Sequence, residues 1–221
     1  MQKMTRWNLA ILTSAVLAFG LWASTARSYP LPPDVVPPFS SAEAVKEINR
    51  YRALAKLAPW VHNDRLEQSA SLHSRYLVEN LGCSISHNES NTNSPFFRGA
   101  SPSERIKKVM PDETYTSELV SSNQTTGKRP SDWRKRIQNL LDAPFHRTGL
   151  LGNFVKAGVA LSNCSEKNSL GLQLVVNMAT QSKLESEDEL IVWPNDGDAN
   201  APIDWFAFES PLPLPAELYG K

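Results

Sequence analysis

Four histidines, at positions 62, 73, 87 and 146, and two cysteines, at 83 and 164, are the side chains best equipped for chemistry in this sequence. An imidazole can ligate a metal, carry a proton or pair with a carboxylate near neutral pH. His87 stands in a polar stretch with Glu89 two residues further on. His146 follows Pro144 at a predicted helix end, where a cation suits the helix dipole. Glu118 falls in a short predicted strand, and Glu104 sits where a helix cap is expected. His73 lies on the apolar stripe of a predicted helix, the usual place of a hydrogen-bonded core histidine, and His62 lies in a loop. The long gaps between these residues form no metal-binding spacing on their own. There is no Gly-x-Ser-x-Gly elbow, no Gly-rich phosphate loop and no His-Glu-x-x-His helix. A two-carboxylate glycosidase arrangement of Glu89 and Glu118 has nothing that selects it.

The elements that must position these residues follow from periodicity and caps. Ser40 and Glu43 fit a capping box, and Val45, Ile48, Tyr51 and Ala55 recur at helical spacing, which predicts a helix to about Lys56. Asp64 can cap a second helix running to Leu81, with Leu66, Ala70, His73, Leu77 and Leu81 on one face and Gly82 as terminator. Residues 84–100 read as a long polar loop of the kind that often carries function. Ser101-Pro102-Ser103-Glu104 opens a short helix that stops before Pro111. Tyr115–Val120 reads as a short strand, and Ser131 as the cap of a helix with Trp133, Ile137, Leu140 and Leu141 inward and Pro144 at its end. Lys156–Leu161 and Leu170–Met178 read as two further strands. Helices followed by strands, without βαβ alternation, predict an α+β domain with a small antiparallel sheet.

Composition narrows the function. In 221 residues, 23 Lys and Arg balance 23 Asp and Glu, which argues against phosphate-driven nucleic-acid binding. Apolar residues at 41% fit a folded globular chain. Lys3 and Arg6, the apolar run from Asn8 to Trp22, and the small residues Ser24-Thr25-Ala26 read as a secretory signal peptide over residues 1–26. The apolar run is shorter than the roughly 20 residues a membrane span needs. The expected location is therefore secreted or periplasmic, with no transmembrane span after cleavage. In such a compartment Cys83 and Cys164 are expected to form a disulfide, with two free buried thiols as the alternative. Residues 27–40 are a Pro-rich linker, with five prolines between Tyr29 and Phe39. Residues 182–221 form an acidic tail rich in proline and aromatics, and the domain proper is expected over 41–181.

Several segments taken together resemble the CAP superfamily of cysteine-rich secretory proteins, antigen five and plant pathogenesis-related proteins, in its bacterial form. Asn49-Arg50-Tyr51-Arg52 is similar to the family's first-helix signature, and Leu57-Ala58-Pro59-Trp60 with Asp64 and Leu66 to its link into the second helix. Ser86-His87 matches the loop histidine, Ser101–Ile106 the short helix with its arginine, and Tyr115–Leu119 the strand bearing a glutamate. Leu141–Leu151, with His146-Arg147, and Ala157-Gly158-Val159-Ala160 match the next two segments.

The resemblance implies a three-layer α-β-α sandwich with a cleft lined by histidines and acids. It places His87, Glu118 and His146 in that cleft, where some family members hold a divalent metal. Two imidazoles and a carboxylate would leave a zinc ion, the possible cofactor, one open position. Lys156 stands where many bacterial relatives have a further histidine, and its ammonium would repel a cation. The expected function is non-catalytic binding of a small or lipid-like ligand, or of an envelope component. A metal-assisted hydrolase using His87, Glu118 and His146, and a structural or adhesive envelope protein, are the alternatives.

Overall fold

The computed structural model describes residues 38–125, 132–166, 169–181 and 191–194. The expected signal peptide, nearly all of the proline-rich linker and most of the acidic tail lie outside these residues. The elements in chain order are α1 (Ser41–Leu54), β1 (Val61–His62), α2 (Asp64–Leu81), α3 (Pro102–Val109), β2 (Tyr115–Thr125), α4 (Trp133–Asp142), α5 (Pro144–Leu150), β3 (Lys156–Glu166) and β4 (Ser169–Thr180). The sheet runs β1-β3-β4-β2. The three long strands pair antiparallel, and the two-residue β1 adds a parallel edge to β3.

Strand alternation sorts the helices into two layers. Leu119, Ala157, Val159, Leu174, Val176 and Met178 face a core completed by Ala44, Val45 and Ile48 of α1, by Trp133, Ile137, Leu140 and Leu141 of α4, and by Leu150 of α5. Val120, Ala160 and Val175 face the other way, against Ala70, Tyr76 and Leu77 of α2. Ala179 packs with Leu66 of α2 and Ile106 of α3. The result is an α-β-α sandwich, the fold class expected from the sequence.

Most caps are the expected ones. Ser40 Oγ accepts from Glu43 N, and Ser101 Oγ accepts from Glu104 N. Two caps shift by one residue: Asn63 caps α2 and Asp132 caps α4, where Asp64 and Ser131 were expected. Pro144 does end α4, but it also opens α5 at its first position, where proline's missing N–H goes unmissed. The strands are longer than their apolar runs, because polar residues continue the ladder once two neighbours are in place.

Two close contacts fix the layers. Gly158 lies under the start of α2, so that a Cβ there would overlap the backbone of Leu66 and Glu67. Arg52 ties α1 to the loops: its Nε donates to Ala58 O (3.0 Å), and its Nη1 to Leu150 O and Gly152 O (2.9 Å each). Its guanidinium lies 4.6 Å from the Trp60 ring. Burial pushes this guanidinium down to about 10. No helix among the described residues is long and apolar enough to cross a membrane.

Candidate functional site

Residues 84–100 contain no helix or strand, yet side chains from four neighbouring elements hold them. Gly82 and Cys83 both take positive φ (53° and 66°), which turns the chain sharply out of α2. Cys83 is bonded to Cys164 of β3, with Cα atoms 5.9 Å apart, so the expected disulfide is present. Ser122 Oγ of β2 donates to Cys83 O (2.7 Å). Tyr76 of α2 accepts Ser90 N (2.9 Å) and Asn91 N (2.8 Å) on its hydroxyl. Ser86, His87 and Glu89 are thereby set against the sheet between α2 and α3.

Glu118 is the centre of the site. It pairs with Asn177 of β4, which pairs in turn with Gly158 of β3, and it lies on the face that carries α2 and α3. Its carboxylate has no exposed surface. Arg105 of α3 donates its Nη2 between the two oxygens, 2.9 Å from each. His87 Nδ1 is 3.1 Å from Oε1, and His73 Nε2 is 3.4 Å from the same oxygen. The Asn177 amide, oriented to satisfy its neighbours, donates to Oε2 at 3.0 Å and accepts from Ser69 Oγ and Ala70 N.

A second buried carboxylate stands behind the first. Glu89 Oε1 is 2.9 Å from His73 Nδ1, and Oε2 accepts Arg98 N at 2.8 Å. Arg105 Nε lies 3.6 Å from Glu89 Oε1. His73 Nε2 is 2.9 Å from Ser86 O. Both nitrogens of His73 therefore face oxygen atoms, a carboxylate on one side and a backbone carbonyl on the other. Two carboxylates share one guanidinium and one imidazole, so each buried acid is paired and hydrogen-bonded, the condition under which buried ions persist. Arg105 also donates to His87 O (2.9 Å) and Gly99 O (3.2 Å), so the same side chain that balances the acids shapes the loop.

His87 is the outward member. Its side chain is 42% exposed, while those of Glu118, His73, Glu89 and Arg105 are fully buried. With Nδ1 turned to Glu118, Nε2 is the ring nitrogen presented to whatever enters. A buried carboxylate that fixes the ring and tautomer of a histidine is the usual support of a proton-transferring or ligand-binding imidazole.

The expected residues fall as follows. His87 and Glu118 meet. His146 is half-buried in the first turn of α5, the layer on the opposite face of the sheet, and the contacts around Glu118 described above are made without it. Lys156 opens β3 and pairs with the buried Glu113. Glu104 acts as a cap, accepting Ala100 N at 3.0 Å. His73 is the hydrogen-bonded core histidine that its stripe predicts. Three participants had no assigned role in the sequence: Arg105, Asn177 and His73 as a partner of two acids. Nothing in a single sequence separates the buried Arg105 from the solvated lysines that follow it in α3.

The cluster does not fit a metal held by His87 and Glu118 together. Both Glu118 oxygens are taken by donors, and a guanidinium nitrogen sits 2.9 Å from each, where a cation would be repelled. A separate group of His62, Asp64 and Glu67 brings ligand atoms within 4.8 Å of one another at the start of α2. There His62 Nε2 is 2.9 Å from Glu67 and Asp64 is almost wholly exposed. The positive end of the α2 dipole disfavours a cation at that place.

Comparison with known proteins agrees with this architecture. The model of the cysteine-rich secretory protein family, CAP, matches residues 45–178, more than half of the chain. The chain belongs to that family. An outer surface protein from Borrelia burgdorferi is similar in structure, with a TM-score of 0.50 and 21% identity over 67% of this chain and 100% of that one. An extracellular protein containing a SCP domain, from Bacillus anthracis str. Ames, aligns at TM-score 0.41 and 19% identity over 67% of this chain and 45% of that one. No curated protein matches the sequence.

Proposed function

We propose that this chain is a secreted or periplasmic CAP-domain protein that binds rather than transforms its target. The target is a small or lipid-like ligand, or an envelope component, met at the cleft around His87, with Glu118 beneath it. The domain proper spans residues 41–181, between a cleaved signal peptide with its proline-rich linker and an acidic tail. The disulfide and the outer-surface setting of the Borrelia relative support an extracytoplasmic location.

One observation carries the binding reading. The buried Glu118 carboxylate is engaged by Arg105, His87 and Asn177, and the side chain of the cluster that reaches the surface is the His87 imidazole. A hydrolytic centre needs a second open ligand, base or nucleophile beside it. A lone oriented imidazole is enough to hydrogen-bond a polar headgroup or a partner's side chain.

Calorimetric titration of the mature protein with zinc, for the wild type and His87→Ala, is the test, together with solvent extraction and mass spectrometry of co-purifying lipid. The expected result is no stoichiometric zinc in either protein, and a bound molecule that His87→Ala loses. One zinc per wild-type chain, lost in His87→Ala, would overturn this reading in favour of a metal-assisted hydrolase.

A further inference from the structure

We infer that the α1–α4–α5 layer is a docking surface for this chain's own acidic tail, residues 195–221. The point from which the tail departs is fixed. Trp193 packs edge-on against Tyr51 of α1, with ring centroids 6.1 Å apart, and joins the apolar core between that layer and the sheet. Arg147 of α5 reaches the Trp193 carbonyl at 3.5 Å. The chain beyond Pro194 therefore starts on this layer.

Charge sets this layer apart. Residues 41–60 and 132–155, which build it, carry eight Lys and Arg against four Asp and Glu. Residues 63–114, which build the layer across the sheet, carry six against seven. Residues 195–221 carry one Lys against five acids, Asp196, Asp198, Asp204, Glu209 and Glu217. A net +4 thus meets a net −4 where the tail departs. The cations of the layer are at its surface, with Lys46, Arg50, Lys56 and Lys135 exposed. The layer also exposes two large apolar side chains, Leu54 of α1 at 49% and Phe145 of α5 at 45%. The tail supplies Trp205, Phe206 and Phe208 to cover them.

Chain length separates what the tether imposes from what attraction must decide. Asp196 and Asp198 follow Pro194 so closely that, at about 3.6 Å per residue or less, they stay within roughly 15 Å of it. Asp204 and Glu209 can reach about 36 Å and 54 Å on the same scale, enough to leave the layer altogether. Tethering holds the tail at an effective concentration of about the millimolar range, so that surface pairs worth little singly suffice when several act together. The His87 cleft lies on the opposite face of the sheet, so the docking does not depend on the reading of that cleft.

The experiment uses the mature, oxidised protein, as a mixture of light and isotope-labelled heavy chains. A carbodiimide joins a carboxylate to a lysine amine as an amide with loss of water, and mass spectrometry maps the products. Asp204 and Glu209 are expected to couple to Lys46, Lys56 or Lys135 of the same chain, and not to Lys107 or Lys108 across the sheet. In about 1 M sodium chloride, where charges act over only ~3 Å, these products should fall away. Hydrogen exchange gives a second readout. Arg134→Glu/Lys135→Glu should speed exchange of the amides of residues 203–208 by about tenfold, because each reversal turns an attraction into a repulsion. The amides of β4 should keep their rates, since Glu suits the first turn of a helix and α4 is retained. Coupling to Lys107 or Lys108 as readily as to this layer, no coupling at all, or unaltered exchange in the variant overturns the docking. Coupling between light and heavy chains overturns it in favour of a second copy. Sedimentation with phosphatidylglycerol vesicles, without coupling inside the chain, overturns it in favour of an anionic membrane. Should the variant fail to fold, the coupling map of the wild type decides.

Discussion

Replacing Arg105 by methionine tests whether the buried cluster is held by charge balance. Methionine keeps most of the side-chain volume and removes the guanidinium. Glu118 then loses a donor 2.9 Å from each of its oxygens, Glu89 loses a cation at 3.6 Å, and the carbonyls of His87 and Gly99 lose their donors. His73 is left as the remaining partner shared by the two fully buried carboxylates. Breaking a buried ion pair from one side costs about 3–5 kcal/mol, because the remaining charge keeps its desolvation penalty. For a domain of this size that lowers the melting temperature by roughly 10 °C. Urea unfolding of the oxidised protein at pH 7 measures the loss. The companion variant Arg105→Met/Glu118→Gln removes the orphaned charge along with its partner. It should recover about 1–3 kcal/mol relative to Arg105→Met with the effect of Glu118→Gln alone subtracted, the coupling expected of residues in direct contact. A loss below about 1 kcal/mol, or strictly additive effects in the double variant, would refute the charge-balance argument.

Three further outcomes follow from the packing. Gly158→Ala should destabilise the fold by about 3 kcal/mol or more, since the added Cβ meets α2 backbone that cannot step aside, and urea unfolding would register it. Cys83→Ser/Cys164→Ser opens a cross-link spanning 81 residues and should cost up to about 4–5 kcal/mol, read as a lower melting temperature than the oxidised wild type. Asp142 is raised above its ordinary value chiefly by burial, against the pull of Lys135 and Arg147. Its ionised form is therefore disfavoured in the folded state, and the penalty is absent below the unfolded value, grows as pH rises from there to the folded value and is complete above it. Asp142→Asn should raise the melting temperature at pH 7 and leave it unchanged near pH 3; a gain confined to acid would contradict the sign.

The sequence makes legible whatever depends on local pattern. Apolar spacing and caps locate α1, α2 and α3 to within a residue or two, because those signals act within a single turn. The β3 and β4 runs are visible from their apolar residues, but the far end of β3 is not, since Asn163 and Cys164 join the ladder through their backbones. α5 is hidden because Pro144 is at once a stop signal and a good first residue, and only tertiary packing of Leu150 decides between them. The acids mislead in a more instructive way. Glu118 reads as an exposed strand residue or a metal ligand, and its actual burial depends on Arg105, which comes 13 positions earlier on a different element. Glu89, in what reads as a polar loop, is buried as well, with its carboxylate turned inward onto His73.

This distribution of charge explains how a long irregular loop can present one side chain accurately. Residues 84–100 bury few apolar groups of their own, so the hydrophobic effect alone would leave them loosely held. The chain fixes them with directional bonds instead: the disulfide at Cys83, the carbonyls of Ser86 and His87 on His73 and Arg105, the Glu89 carboxylate on His73 and Arg98 N, and the Tyr76 hydroxyl beyond it. Each of these atoms is engaged in positioning the loop. Glu118, the one acid that faces His87, is consumed as well. A site built this way has invested its carboxylates in orientation, and what they orient is the half-exposed imidazole of His87.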